Sequence, residues 1–275
     1  MSKASVILSG AKDLLFPAVP TLILAACINL ENPTPPTPSR LVVHAVLDAR
    51  VSLQMILVAR SRGGVQQTAA GSVSDDEPVA GATVTVTAPN GTVMIATEGP
   101  ANSPLSGTAG TYFYTPSQSG VALAGGGTYR LFVRTPAGEE ATGTTTLPLP
   151  PTGGPTTVPS SSFSRQSDTL RLRWPSAGGA RSYELLIRSR PAGEYRIFTD
   201  TTAAVPGTTL TINGDTLFPI GGRVTVLVSA VDANYYDYYR AQSDPFAGTA
   251  PSHLTGAVGV FGSITPVLTT QLTVR

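Results

Sequence analysis

The chain has 275 residues, carries 28 Gly and 24 Pro, and is only 13% charged with a formal net charge of +1. That balance excludes the basic field of a nucleic-acid binder and any acidic or basic interaction tail. A 41% hydrophobic content likewise excludes a disordered chain. One Cys and two His leave no material for a disulfide framework, a Cys-based zinc site or most nucleophile chemistry.

The amino-terminal stretch has three parts. Lys3 and Lys12 make a positive start, an apolar run follows from Leu14 to Ala26, and Cys27 closes it. A run of about 13 residues is too short for a bilayer span but fits the apolar core of a signal peptide. Leu24-Ala25-Ala26-Cys27 resembles the bacterial lipobox. That resemblance implies a signal peptide over 1–26 and acylation of the Cys27 sulfur, with Cys27 as the new amino terminus. Residues 27–40 include Asn32-Pro33-Thr34-Pro35-Pro36-Thr37-Pro38, a polyproline-type tether. At ~3.1 Å per residue such a spacer reaches roughly 40 Å. The expected location is the cell envelope, anchored by lipid to the outer membrane, because the residue after the cysteine is Ile28 rather than the retention signal Asp.

Beyond Arg40 period-2 alternation recurs, so the expected fold class is all-β. Leu41 to Leu47 and Val51 to Arg60 read as the first strands. Ala82 to Ala88 alternates strictly, with Val84 and Val86 on one face and Thr83, Thr85 and Thr87 on the other; such a strand is buried on one side only. Pro89-Asn90-Gly91 is a hairpin signal, and about Thr92 to Thr97 is the return strand. Thr111 to Tyr114 and Thr128 to Arg134 are further strands, rich in residues a pleated face prefers. Residues 148–157, dense in Pro and Gly, form a linker through which neither sheet continues. After it, Leu170, Leu172 and Trp174 share a face, as do Tyr183, Leu185 and Ile187, and then Val224, Val226, Val228 and Ala230. Trp174 is expected to plug the core between two sheets.

Two β-sandwich domains follow from this pattern, over 41–147 and 158–275. The Pro-Val-Ala-Gly-Ala-Thr-Val-Thr-Val stretch at 78–86, with Gly-Thr-Tyr at 110–112 and 127–129, is similar to the carboxypeptidase-regulatory or transthyretin-like sandwich. The second half resembles a fibronectin type III domain, with an insertion over 233–264 before a last strand at Thr265 to Val274. The lipobox, a Val-Val-His-Ala-Val-Leu first strand, the tyrosine-rich turn and the late Gly-Ala-Val-Gly-Val-Phe-Gly together resemble the bacterial lipoprotein family of domain of unknown function 4249. That resemblance implies association with outer-membrane transporter systems and brings no catalytic residue with it.

No constellation points to an enzyme. His44 sits within a strand and His253 in the late segment, neither beside a nucleophile elbow. Glu139-Glu140 and Asp75-Asp76-Glu77 read as solvated turns rather than facing catalytic carboxylates. No cofactor and no metal ligand set are expected. The candidate partner or ligand surface is Tyr235, Tyr236, Tyr238 and Tyr239. In an extended segment Tyr236 and Tyr238 face one side and Tyr235 and Tyr239 the other. The glycines of 256–262 read as permitting a tight backbone crossing beside Phe261. The favoured function is a non-enzymatic lipid-anchored binding or accessory component beside an outer-membrane transporter. The alternative is a glycan- or calcium-dependent adhesion module, with Asp232, Asn234 and Asp237 as oxygen ligands and the tyrosines as its site.

Overall fold

A computed structural model describes residues 38–61, 77–99, 109–155, 162–190, 192–206, 211–212, 215–243 and 251–275. The expected lipobox with Cys27, most of the tether, and Asp75 and Asp76 lie outside these residues.

Among the described residues the first half holds eight strands: β1 (Leu41–Asp48), β2 (Gln54–Arg60), β3 (Glu77–Pro78), β4 (Thr83–Thr87), β5 (Val93–Glu98), β6 (Thr111–Tyr114), β7 (Thr128–Arg134) and β8 (Glu140–Thr146). One layer is β1-β2-β6 and the other β5-β4-β7-β8. β5 turns the corner between them, pairing Thr97 with Phe113 and Glu98 with Tyr112. The alternation read from the sequence sends Val43, Ala45, Val84, Val86, Leu131 and Val133 into one shared core. The Asn-Gly hairpin forms as expected: Thr92 N–H donates to Asn90 Oδ1 at 3.0 Å and Gly91 takes φ +84°. β8 is a strand the sequence hid. Its Glu-Ala-Thr-Gly-Thr-Thr-Thr lacks an apolar face, because its inward positions are Ala141, Gly143 and Thr145. Glu140 accordingly opens a strand rather than a turn, and Glu139 pairs with Arg60.

The second half contains β9 (Ser162–Phe163), β10 (Thr169–Arg173), β11 (Ser182–Ser189), β12 (Gly193–Thr199), β13 (Thr202–Pro206), β14 (Thr211–Ile212), β15 (Asp215–Thr216), β16 (Arg223–Val231), α1 (Ala233–Ser243), β17 (Leu254–Thr255) and β18 (Val258–Val274). Here β12-β11-β16-β18 form one layer and β10-β13 the other. Their inner faces make a second core, including Leu170, Leu172, Trp174, Leu185, Ile187 and Val226. Trp174 is buried there, edge-on to Tyr183 with ring centroids 5.6 Å apart.

Two expectations need correction. The tyrosine segment is helical, not extended: it is α1. Moreover the last strand begins at Val258, not Thr265. Gly259, Gly262 and Pro266 interrupt the apolar alternation there, so the sequence pattern starts late although the backbone is already extended. β18 runs parallel to β1, from Val42↔Val258 to Asp48↔Ile264, and antiparallel to β16, from Arg223↔Thr273 to Val231↔Ile264. The irregularity between Val228 and Ser229 faces Pro266, which has no N–H to give the ladder. Thus a single strand belongs to both layered halves. The linker is tied down as well: Leu149 N–H donates to the Gly178 carbonyl at 2.8 Å, and the Thr265 hydroxyl to the Pro148 carbonyl at 2.7 Å.

Candidate functional site

Helix α1 begins where β16 ends, and Asp232 starts it. Its Oδ1 accepts the Tyr235 N–H at 2.9 Å, the capping bond that satisfies an orphan donor of the first turn. The same Oδ1 accepts the Ser263 N–H at 3.0 Å, and Oδ2 accepts the Thr145 hydroxyl at 2.5 Å. Ser263 Oγ lies 2.9 Å from Thr145 Oγ1 and donates to the Thr146 carbonyl. Asn234 Nδ2 donates to the carbonyls of Thr144 and Phe261. One buried polar knot therefore joins β8, β18 and α1.

Capping fixes the direction in which the tyrosines point. At a spacing of four, Tyr235 and Tyr239 share the inner helix face, with ring centroids 4.4 Å apart. They cover the side of the sheet facing away from the two sandwich cores, above Val231, Ile264 and Val46. Beneath them lies Glu184, only 2% exposed, accepting the Tyr235 hydroxyl at 2.7 Å and pairing with Arg196 Nε at 2.8 Å. The Arg196 guanidinium also sits 4.8 Å over the Tyr239 ring. Tyr239 Oη is 2.7 Å from His44 Nε2. Tyr236 and Tyr238 part to opposite flanks. Tyr236 meets Phe198 edge-on at 5.2 Å and carries the Arg181 and Arg240 guanidiniums at 5.0 and 5.7 Å. Tyr238 meets His44 at 5.8 Å.

Burial favours the neutral forms of Tyr235, Tyr239 and His44. Burial, with the Glu184 carboxylate next in effect, pushes the Tyr235 phenol up despite Arg196. Burial also raises Tyr239 and lowers His44, disfavouring its cation. The phenols are thus fixed hydrogen-bond partners at neutral pH, and the face offers ring area with polar tips.

The three candidate calcium ligands do not converge. Asp232 is taken up by the knot, the Asn234 amide donates inward, and Asp237 Oδ2 pairs with His253 Nε2 at 3.0 Å. Among the described residues no three His, Cys, Asp or Glu form a metal-holding group. Sequence reasoning missed Glu184 and Arg196. Leu186, apolar at a nominally outward position of β11, was the available sign that this strand is buried on both faces.

Asp232→Ala is expected to destabilise the fold by about 3 kcal/mol, since it removes the cap and leaves buried donors unpaired. Asp232→Asn keeps the Oδ1 acceptor and lets Thr145 accept instead, so it should cost about 1 kcal/mol or less. Burial raises the Asp232 pKa, its three hydrogen bonds offsetting this only in part. The folded state then holds this proton more tightly than the unfolded chain. The linked stability is full below the ordinary carboxylate pKa and is lost as pH rises through the raised one. Urea melts from acid to neutral pH should show wild type gaining on Asp232→Asn as pH falls. A gap independent of pH refutes this.

No curated protein matches the sequence. Among solved structures, one titled "Biofilm associated protein - BSP domain" is 13% identical, with a TM-score of 0.26; the match covers 86% of this chain and 29% of that one. The profile of the family described as Domain of unknown function (DUF4249) matches residues 28–269. The chain belongs to that family.

Proposed function

We propose that the chain is a non-enzymatic, lipid-anchored protein of the cell envelope that binds a protein partner in an outer-membrane transporter system. The observation that carries the anchor is Leu24-Ala25-Ala26-Cys27 followed by a proline-rich spacer. The reading of the second half as a fibronectin type III-like module is supported by its layers, β12-β11-β16-β18 against β10-β13, and by the buried Trp174. The contact surface is the solvent side of α1, where Tyr236 and Tyr238 are half-buried beside the exposed Arg181 and Arg240. Aromatic rings flanked by guanidiniums are the side chains that dominate protein interfaces.

Cys27→Ser should abolish fatty-acid incorporation and release the protein from membranes. Each buried lipid methylene contributes ~0.8 kcal/mol, so stable anchoring needs more than one chain. Radioactive fatty-acid labelling with envelope fractionation decides, and unchanged retention of the serine variant overturns the anchor. For the contact surface, Tyr236→Ala with Tyr238→Ala should keep the circular dichroism of the folded chain, lowering the melting temperature only by what the half-buried rings contribute, while abolishing co-purification of a transporter component.

A further inference from the structure

We propose that the outer face of the first sandwich is a groove for an anionic saccharide chain. Strand β7 carries Arg130, Phe132 and Arg134 on this face. Cross-strand register sets Phe132 between Thr85 and Thr142, and Arg130 between Thr87 and Thr144. At the free side of β8, the short β17 adds Thr255 opposite Thr142. His253 precedes it. Of these, Thr87, Arg130, Phe132, Thr142, Thr144, His253 and Thr255 line an open groove of about 400 Å³.

Three observations point to the ligand class. First, the polar groups are unspent: Arg130 and the hydroxyls of Thr87, Thr142, Thr144 and Thr255 have no partner among the described residues. Second, the lining contains a guanidinium and no carboxylate. Outside the lining, Asp237 is bonded to His253 Nε2, and Arg134 with Glu140 closes the next row at 3.8 Å. The complementary charge is therefore negative. Third, the sheet spaces its hydroxyls as a grid, with neighbouring strands ~4.8 Å apart and same-face residues of one strand roughly 6.8 Å apart.

A flat ring with hydroxyls beside it suits a sugar: its C–H face lies on Phe132, and its hydroxyls exchange bonds with Thr142 and Thr255. Arg130 binds a carboxylate or phosphate in the bidentate manner its fork allows. An open trough of this kind takes a chain along its length, whereas small ligands are usually held in enclosed apolar pockets. Solvent-facing threonine is common in strands, so the assignment rests on the unpaired Arg130 and the Phe132 ring within one groove. It is independent of the anchor and of the transporter partner, both of which involve other residues.

Titration calorimetry of the full chain tests it with trigalacturonate, a phosphorylated oligomannoside, neutral cellotriose and hexaglutamate. At least one anionic saccharide should bind ten times more tightly than cellotriose and hexaglutamate. Which of the two binds identifies carboxylate or phosphate. Arg130→Ala should weaken that binding at least tenfold and Phe132→Ala severalfold, with unaltered circular dichroism for both. The proposal is overturned if neither anionic saccharide binds, if cellotriose or hexaglutamate binds equally well, or if Arg130→Ala has no effect.

Discussion

Gly259→Ala is expected to be the most damaging small substitution in the described chain, at about 4 kcal/mol or more. Gly259 has φ +115°, a region an L side chain rarely enters at a cost of roughly 1–3 kcal/mol. A Cβ there would also run into the Val43 carbonyl, which is backbone and cannot turn aside. Relief requires separating β18 from β1 at Val43↔Gly259, the second pair of their parallel ladder. Gly91→Ala is the control: Gly91 also has positive φ, but nothing lies within 4 Å of the added atom. It should lose only the conformational term, roughly 1–2 kcal/mol. Urea melts of the two variants separate steric from conformational cost, and equal losses would refute the close-approach argument.

Phe261→Ala should cost about 3–5 kcal/mol, the range for a buried aromatic truncation. Phe261 is 1% exposed and packs in the first core, although it lies in the last strand of the chain. Its loss should therefore weaken the first sandwich from the carboxyl-terminal end. Hydrogen exchange should quicken across 41–48 as well as 258–264 in this variant. If only 258–264 responds, Phe261 does not tie the two ends together. A melting curve within 1 kcal/mol of wild type excludes it from the core.

Much of the fold was legible because a strand with one buried face writes its geometry into the sequence. Val84 and Val86 against Thr83, Thr85 and Thr87, or Leu170, Leu172 and Trp174 against Arg171 and Arg173, have no other economical reading. The Asn90-Gly91 turn was legible for the same local reason. β8 was not, since Thr145 turns inward to a carboxylate 87 residues away, and a strand whose inward groups are Ala, Gly and Thr shows no apolar period. The glycines around Phe261 could be read as a close crossing, while what they cross, the carbonyls of Glu140 and Val43 and the backbone of Tyr235, could not.

The tyrosine segment divides in the same way. Its composition alone marked it as too apolar for a solvated loop, but tyrosine's preference for strands hid the helix. What made it helical was the cap at Asp232, a carboxylate bonded at once to Tyr235, Ser263 and Thr145. Once helical, Tyr235 and Tyr239 turned inward onto Glu184 and Arg196, leaving Tyr236 and Tyr238 toward the flanks. Residue patterning alone carried the all-β class, the inward faces of its regular strands and the candidate tyrosines. The tertiary structure decided the helix, the shared strand and which rings remain accessible, because each depends on hydrogen bonds and close backbone contacts between residues far apart in the chain, which no local pattern records.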